Sequence, residues 1–541
     1  MKIFSNLSWN ELLAIRSTCK KWYEIISTEA PLKKDGVIVL RRNLEGMAIF
    51  NKSLYVWTQF RILVSVVFDF TDSMQLEFWL KHGKTMSYLE IRNSSMTLSA
   101  LVEVLSRCPN LEYFSVTWTA EMYSFNSEMI KKYYGIHFRN GTFVKLHELT
   151  IDKSYFLTDN ALWSLLKWCG GSIHKLALTC GPEDHEDTLS KLKPRWSIEP
   201  IQNYTNRFGY SGNFKFLDFS GSNLNGEDLK TLARTEKLNS LVGIRLSSCK
   251  INDEAVAIFI EKKGPNLEEF YLDNTAITEK AFEGSTKLSR LKSLSISGKK
   301  SNFHTLEFLT YLRSLQDFFC SDTNWLTYTT LSRPLESLGP KNNIKKLDIS
   351  SSNNIISRVD QRMSKVWFNH LTNILPRLTE LNLNYCGSFG NDDNFKAICT
   401  NIPTMEKLCV RDWTSLTDEG LVGMTFDDIV KQYDDVRGFW RTTDTPLKIS
   451  PVICNLKYLR YLDLGGCKKL TDVCIQFAII HLPRLSKLGL EKTQITDASY
   501  TLLVTKSPRL EKLSLQACEH VAPKGNYTTR SNGRLIFLGK I

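Results

Sequence analysis

Cys169, His174 and Cys180 form the one local gathering of metal-ligating side chains in this 541-residue chain. A structural zinc site draws four Cys or His ligands, usually as closely spaced pairs. The chain holds 13 cysteines and 9 histidines, but no segment contributes a paired C-x-x-C with partner histidines at fixed spacing. Cys169 reads as the end of a helix and Cys180 as a turn residue, so no metal is expected. Cys108, Cys399 and Cys474 fall in helical stretches and read as small core residues. Cys249, Cys386, Cys467 and Cys518 are far apart in sequence and share one local context, which points to structure. Catalytic signatures are absent: there is no G-x-S-x-G, no H-E-x-x-H and no G-x-x-x-x-G-K-[ST]. Histidines are dispersed, and many carboxylates sit where helices start. Neither an active site nor a cofactor is expected.

Bulk properties narrow the class. An odd number of cysteines without a basic-then-apolar leader points to reduced thiols, and so to cytoplasm and/or nucleus. The formal charge is +12, yet Lys and Arg are scattered, without the dense run of a nucleic-acid arm or a polybasic membrane segment. The apolar stretches "ILVSVVF" (62–68) and "FAII" (477–480) are too short to span a bilayer. Nucleic acid and membrane are therefore not expected partners.

The elements around those shared cysteines repeat. "PRLTELNLNYC" (376–386), "KYLRYLDLGGC" (457–467), "PRLSKLGLEKT" (483–493) and "PRLEKLSLQAC" (508–518) follow one template, L-x-x-L-x-L-x-x-C/T, as do 239–249 and 265–275. The first apolar residue of each L-x-L pair gives Leu89, Phe114, Leu149, Leu176, Leu217, Ile244, Phe270 and Leu294. The series continues through Phe318 (a poor copy), Leu347, Leu381, Leu408, Leu462, Leu488 and Leu513. Many steps are about 24 to 29 residues, the period of leucine-rich repeats. Segments 37–40 and 62–68 supply two further strands, for about 17 turns in all. In each turn the L-x-L pair enters a shared core while alternate residues face outward. A buried Cys or Thr follows where the chain bends away and hydrogen-bonds turn backbone.

Helix starts come next: "LTD" at 157–159, 416–418 and 470–472, "IND" at 251–253, "ITE" at 277–279 and "ITD" at 495–497. Thr or Asn is a good N-cap, and the acidic residue suits the positive helix end. A Pro before many strands stops the helix. The expected fold is an α/β leucine-rich-repeat solenoid, curved, of roughly 15–17 repeats. It occupies 36–541, with departures from the period near 119–142, 181–213 and 421–455.

Cysteine-bearing repeats with Leu/Ile-Thr-Asp helix starts resemble those of the F-box/leucine-rich-repeat family. The N-terminus is similar to an F-box as well: "IFSNL" (3–7), "ELLAIRSTCKKW" (11–22) and "YEIISTEAPL" follow the last two-thirds of the family pattern in order and spacing. Ser8 and Glu11 form an S-x-x-E capping box. The L-P-x-E-x-L front of the pattern is missing, so residues 1–35 read as an incomplete F-box-like helical module and Met1 as an internal position of its first helix. The resemblance implies a non-catalytic, substrate-recognition subunit of a Skp–cullin–F-box type ubiquitin ligase. Its F-box would dock a Skp-type adaptor, which joins a cullin scaffold, through Ile3, Phe4, Leu7, Leu12, Leu13, Cys19 and Trp22. Its repeats would hold a protein substrate. An intracellular interaction scaffold or inhibitor without ligase docking is the alternative.

Outward strand positions are the expected substrate surface, with Arg245, Tyr271, Arg411, Tyr461, Asp463, Lys487 and Lys512 as candidate contacts. The irregular segments 181–213 and 426–440 are further candidates.

Overall fold

The computed structural model describes residues 79–521 except 81, 95, 120–121, 123–124, 137, 182–195, 209–213, 340–341, 353–369, 371–372, 388–389, 426 and 429–450. It also gives the backbone of four strands outside that span. The expected F-box module, 1–35, with Ile3, Phe4, Leu7, Leu12, Leu13, Cys19 and Trp22, lies outside the described residues. The chain divides into two compact units, Met1–Leu267 and Glu268–Ile541.

The first unit contains β1 (Gly36–Arg41), β2 (Phe60–Val66), β3 (Tyr88–Arg92), β4 (Tyr113–Thr117), β5 (Glu148–Asp152), β6 (Lys175–Leu178), β7 (Phe216–Asp218) and β8 (Gly243–Arg245). Each pairs in parallel with the next. The second unit contains β9 (Glu269–Tyr271), β10 (Ser293–Ser295), β11 (Asp317–Phe319), β12 (Lys346–Asp348), β13 (Glu380–Asn382), β14 (Lys407–Cys409), β15 (Tyr461–Asp463), β16 (Lys487–Gly489) and β17 (Lys512–Ser514), again parallel. The antiparallel strands β18 (Asn526–Ser531) and β19 (Arg534–Leu538) follow β17.

Register confirms the repeat alignment residue by residue. Leu89, Phe114, Leu149, Leu176, Leu217 and Ile244 are successive partners in the first unit. Phe270, Leu294, Phe318, Leu347, Leu381, Leu408, Leu462, Leu488 and Leu513 form the equivalent column in the second. All are buried, Phe318 included, because an aromatic fills the same interior slot. Burying a side chain of this size contributes about 1.5–3 kcal/mol.

Two features lock each turn to its neighbour. Every non-glycine residue with positive φ among the described residues, from Asn93 to Ala517, lies four positions after a column residue. The left-handed bend turns the chain out of the strand and aims one more amide at the next turn: Tyr385 N–H reaches the Arg411 carbonyl at 2.8 Å, and Asp412 N–H the Gly465 carbonyl at 2.8 Å. That bond offsets the roughly 1–2 kcal/mol cost of a left-handed residue with a side chain. One position later sits the repeat cysteine, which bonds backbone as its position implied. The thiols of Cys249, Cys386, Cys467 and Cys518 donate to the carbonyls of Phe219, Ile349, Val410 and Leu490, all in the preceding turn. Trp413 Nε1 makes the same bond to Leu383 at 3.1 Å. Thr275 and Thr493 instead bond their own turn, at Leu272 and Leu490.

The helices are α1 (Leu98–Arg107), α2 (Ser127–Tyr134), α3 (Asp159–Cys169), α4 (Glu199–Phe208), α5 (Gly226–Arg234), α6 (Asp253–Lys263), α7 (Tyr328–Leu338), α8 (Asp392–Asn401), α9 (Asp418–Val422), α10 (Asp472–Phe477) and α11 (Asp497–Lys506). Thr158, Asn252, Thr417, Thr471 and Thr496 are N-caps as their sequence context implied, and Thr278 caps a short 3-10 turn.

The described parts of two irregular segments pack into the fold. Residues 119–142 carry α2, and Phe125 packs edge-on against Trp118 and Trp168. Within 181–213, buried Trp196 donates to Ser154 Oγ at 3.2 Å, and the Oη of buried Tyr204 accepts the Ile173 amide. Beyond Asp427 and Asp428, the 426–440 candidate lies outside the described residues.

Candidate functional site: the outward face of the second unit

Alternation along β12 to β16 sends polar side chains outward, and the structure joins them into one network. The Asn382 amide donates to Asp348 Oδ2 at 2.8 Å, and Asn382 Oδ1 accepts the Asn384 amide N–H at 3.2 Å. Asn384 Oδ1 accepts the Arg411 backbone N–H at 2.7 Å. The Arg411 guanidinium then forks onto Asp463, with Nε and Nη2 both at 3.2 Å, while Nη2 also reaches Glu491 at 2.7 Å. Two glycines make room. A Cβ at Gly465 would sit 2.5 Å from the Glu491 carboxylate and 2.8 Å from Arg411 Cζ, and one at Gly489 would meet Asp463 Oδ1 at 2.7 Å. Burial works against the Arg411 charge, but Asp463 and Glu491 outweigh it and hold its pKa above the ordinary value.

A second column, just before the buried leucines, alternates in sign. Lys346 stands between Asp317 and Glu380 at 3.8 and 3.4 Å, and Lys407 reaches Glu380 at 3.9 Å. Lys407 Nζ also lies over the Tyr461 ring, 5.5 Å from its centre. Burial, followed by the Asp463 charge, pushes the Tyr461 phenol up to about 12. Exposed pairs of this kind contribute about 0–1 kcal/mol each, so their effect is to order the face more than to stabilise it.

The structure brings Arg411, Tyr461 and Asp463 together. Asp463 is only 4% exposed and is held by the Arg411 guanidinium. Cys409, an outward position by alternation, is also buried, and burial pushes its thiol up to about 12. Lys487 and Lys512 are exposed register partners. Tyr271, in β9, has its hydroxyl 3.0 Å from Ser293 Oγ. Arg245 belongs to the first unit, its guanidinium over the Phe216 ring at 5.3 Å. Three arginines in the loops before β15 to β17, Arg460, Arg484 and Arg509, escaped the sequence reading. The P-R-L opening of "PRLSKLGLEKT" and "PRLEKLSLQAC" carries two of them and was the available signal.

Cys169 donates to the Leu165 carbonyl and Cys180 lies 3.3 Å from Ser154 Oγ. Among the described residues no group of three or more His, Cys, Asp or Glu is placed to hold a metal ion, and no helix is long and apolar enough to cross a membrane.

Comparison with protein families matches residues 1–34 to the F-box domain and residues 431–532 to the family described as "FBD-associated F-box protein At5g56370, LRR repeats". The chain thus carries an F-box match at residues 1–34 and a match to the leucine-rich repeats of an F-box protein family at residues 431–532. Among solved structures, an internalin (InlF) from Listeria monocytogenes is 15% identical, covering 71% of this chain and 81% of its own, with a TM-score of 0.34. The Rad7–Elc1 complex of yeast gives 14% identity, 81% and 82% coverage and a TM-score of 0.39. A leucine-rich-repeat protein of Leptospira interrogans gives 12%, 84% and 90%, and 0.32. No curated protein matches.

Proposed function

We propose that this chain is the substrate-recognition subunit of a cullin–RING ubiquitin ligase of the Skp–cullin–F-box type. The observation that carries the reading is the F-box at residues 1–34 in one chain with leucine-rich repeats. Ile3, Phe4, Leu7, Leu12, Leu13, Cys19 and Trp22 dock the Skp-type adaptor, and the adaptor joins the cullin. Residues 36–541 serve as the substrate-holding solenoid. Arg245, Tyr271, Arg411, Tyr461, Lys487 and Lys512 contact the substrate, and Asp463 positions Arg411. Half-buried tyrosines and guanidinium groups on an ordered polar face suit protein recognition. The ligase works in the cytoplasm and/or nucleus, where its thiols stay reduced.

Reconstitution tests this. Full chain, adaptor, cullin, RING protein and ubiquitin-conjugating enzymes are combined, and ubiquitin transfer to the chain itself is followed. Transfer that depends on the chain and is lost in L12D/L13D is the expected result. Identical transfer with and without the F-box residues intact would overturn it.

A further inference from the structure

The helix side of the second unit is uneven. Two successive turns carry only 3-10 helix there, at Glu279–Phe282, Ser285–Lys287 and Glu307–Tyr311. These short pieces fill less of the outer layer than the three-turn helix α7 that follows them. An open groove of about 770 Å³ remains between them and α7. Its floor is apolar: the buried rings of Phe282 and Phe308 stack face to face at 4.0 Å, and buried Pro334 of α7 adds a wall. Tyr311 lines the groove with a ring that is 55% exposed. Around this floor the charge has one sign. Glu279, Glu283, Glu307 and Glu336 line the groove against a single guanidinium, Arg333. Lys280 and Lys287, on the same turns, are exposed and stand outside the lining. Glu279 accepts the His304 amide at 3.2 Å, and Glu336 lies 3.5 Å from His370 Nδ1. The groove is thus acidic in a chain whose formal charge is +12.

We propose that this groove docks an arginine- or lysine-bearing segment of a protein partner, with the aliphatic stem along Phe282, Phe308 and Pro334 and the cation at Glu283, Glu307 and Glu336. Floor and rim together select that chemistry. An acidic rim alone suits any cation, and an apolar floor alone suits any aliphatic side chain. A long basic side chain meets both, because its methylene stem covers apolar surface while its head stays at the polar edge. Tyr311 offers the head an aromatic face, and carboxylates accept a guanidinium in pairs. Nucleic acids and anionic lipid surfaces carry the same sign as the rim and are repelled. The strand-face network shares no residue with the groove, so the groove can be filled while the strand face holds a substrate.

The test uses the full chain with its Skp-type adaptor present. Fluorescent degenerate peptide pools with two fixed central arginines, norleucines or glutamates are titrated in at about 0.15 M salt. The expected result is binding of the arginine pool about tenfold tighter than either other pool. That preference disappears in E283K/E307K and weakens in E283Q/E307Q. It survives in E511K/E519K, which makes the same charge change in the last turn of the unit. Melting temperatures stay unchanged, because all four glutamates are exposed. Equal binding of the three pools, a preference that survives E283K/E307K, or one lost equally in E511K/E519K would each overturn the proposal. So would self-association of the chain that E283K/E307K abolishes, since a second copy would then fill the groove. Adaptor capture is measured on the same samples. Its absence in the unmodified chain would overturn the receptor reading, whereas the peptide titration reports on the groove alone.

Discussion

Thr471 and Asp418 lie 53 residues apart, yet the threonine amide and hydroxyl both donate to the aspartate carboxylate, at 3.0 and 2.6 Å. The same bond pair joins Thr417 to Asp392, and Thr496 to Asp472. Each acidic residue in a helix's first turn thus fixes the N-cap of the next turn while facing the positive end of its own helix. In the first unit, the Ser197 amide and hydroxyl treat Asp159 alike.

Removing one member of this ladder should be costly. Asp418→Ala is expected to lower stability by about 1–3 kcal/mol, since half-buried donors at Thr471 lose their acceptor. A double-mutant cycle with Thr471→Val, read by urea unfolding, should return a coupling of at least about 0.5 kcal/mol. Additive single effects would show that the two residues act independently.

Arg411 gives an asymmetric prediction. Arg411→Ala leaves the buried Asp463 carboxylate without its cation and should cost about 3 kcal/mol or more. Adding Asp463→Ala should recover part of that loss, because the uncompensated charge is gone. A double variant less stable than Arg411→Ala alone would contradict the ion-pair assignment.

Gly465 is expected to tolerate no side chain. Gly465→Ala puts a methyl against Arg411 and Glu491, so the fork must open, with a loss of about 1–3 kcal/mol. Gly387→Ala is the control, since the nearest atom to its Cβ is 3.9 Å away. Equal effects at the two glycines would count against a crowded network.

Buried thiols set the alkaline limit. Burial pushes Cys386 up to about 11, and Cys249 and Cys467 up to about 12. Unfolded thiols ionise near pH 8.5. Because the folded values are the higher, this stability is fully present below about pH 8.5 and is lost as pH rises toward the folded values. Urea midpoints should therefore fall between about pH 8.5 and 11, and fall less in Cys386→Ser/Cys467→Ser, whose hydroxyls keep a donor. A pH dependence identical in that variant would refute the assignment.

Much of this was legible in the sequence, and the limits have physical causes. The Leu89-to-Leu513 columns and the Thr or Asn caps follow from period and local capping chemistry, which short windows carry. The Asp418–Thr471 bond does not, because "LTD" reads as complete within one helix start and its second partner is a turn away. Ser351, Tyr385 and Lys492 occupy left-handed positions that glycine usually marks, so type alone could not reveal the bend. Tyr204 and Trp196 return to the core from the irregular segment 181–213, which has no repeat period to show which of its side chains do so. At the site, alternation correctly sent Arg411 and Tyr461 outward, but it could not show that Arg411 would cover Asp463, or that loop arginines would gather beside Lys512.

The most direct measurement is co-elution of the full chain with the Skp-type adaptor of its host on size-exclusion chromatography. The expected result is a one-to-one complex, formed by the chain itself or by a version extended with an L-P-x-E-x-L front, and lost in L12D/L13D. Failure of both forms to bind the adaptor, with the repeats folded, would contradict the assignment as a ligase receptor.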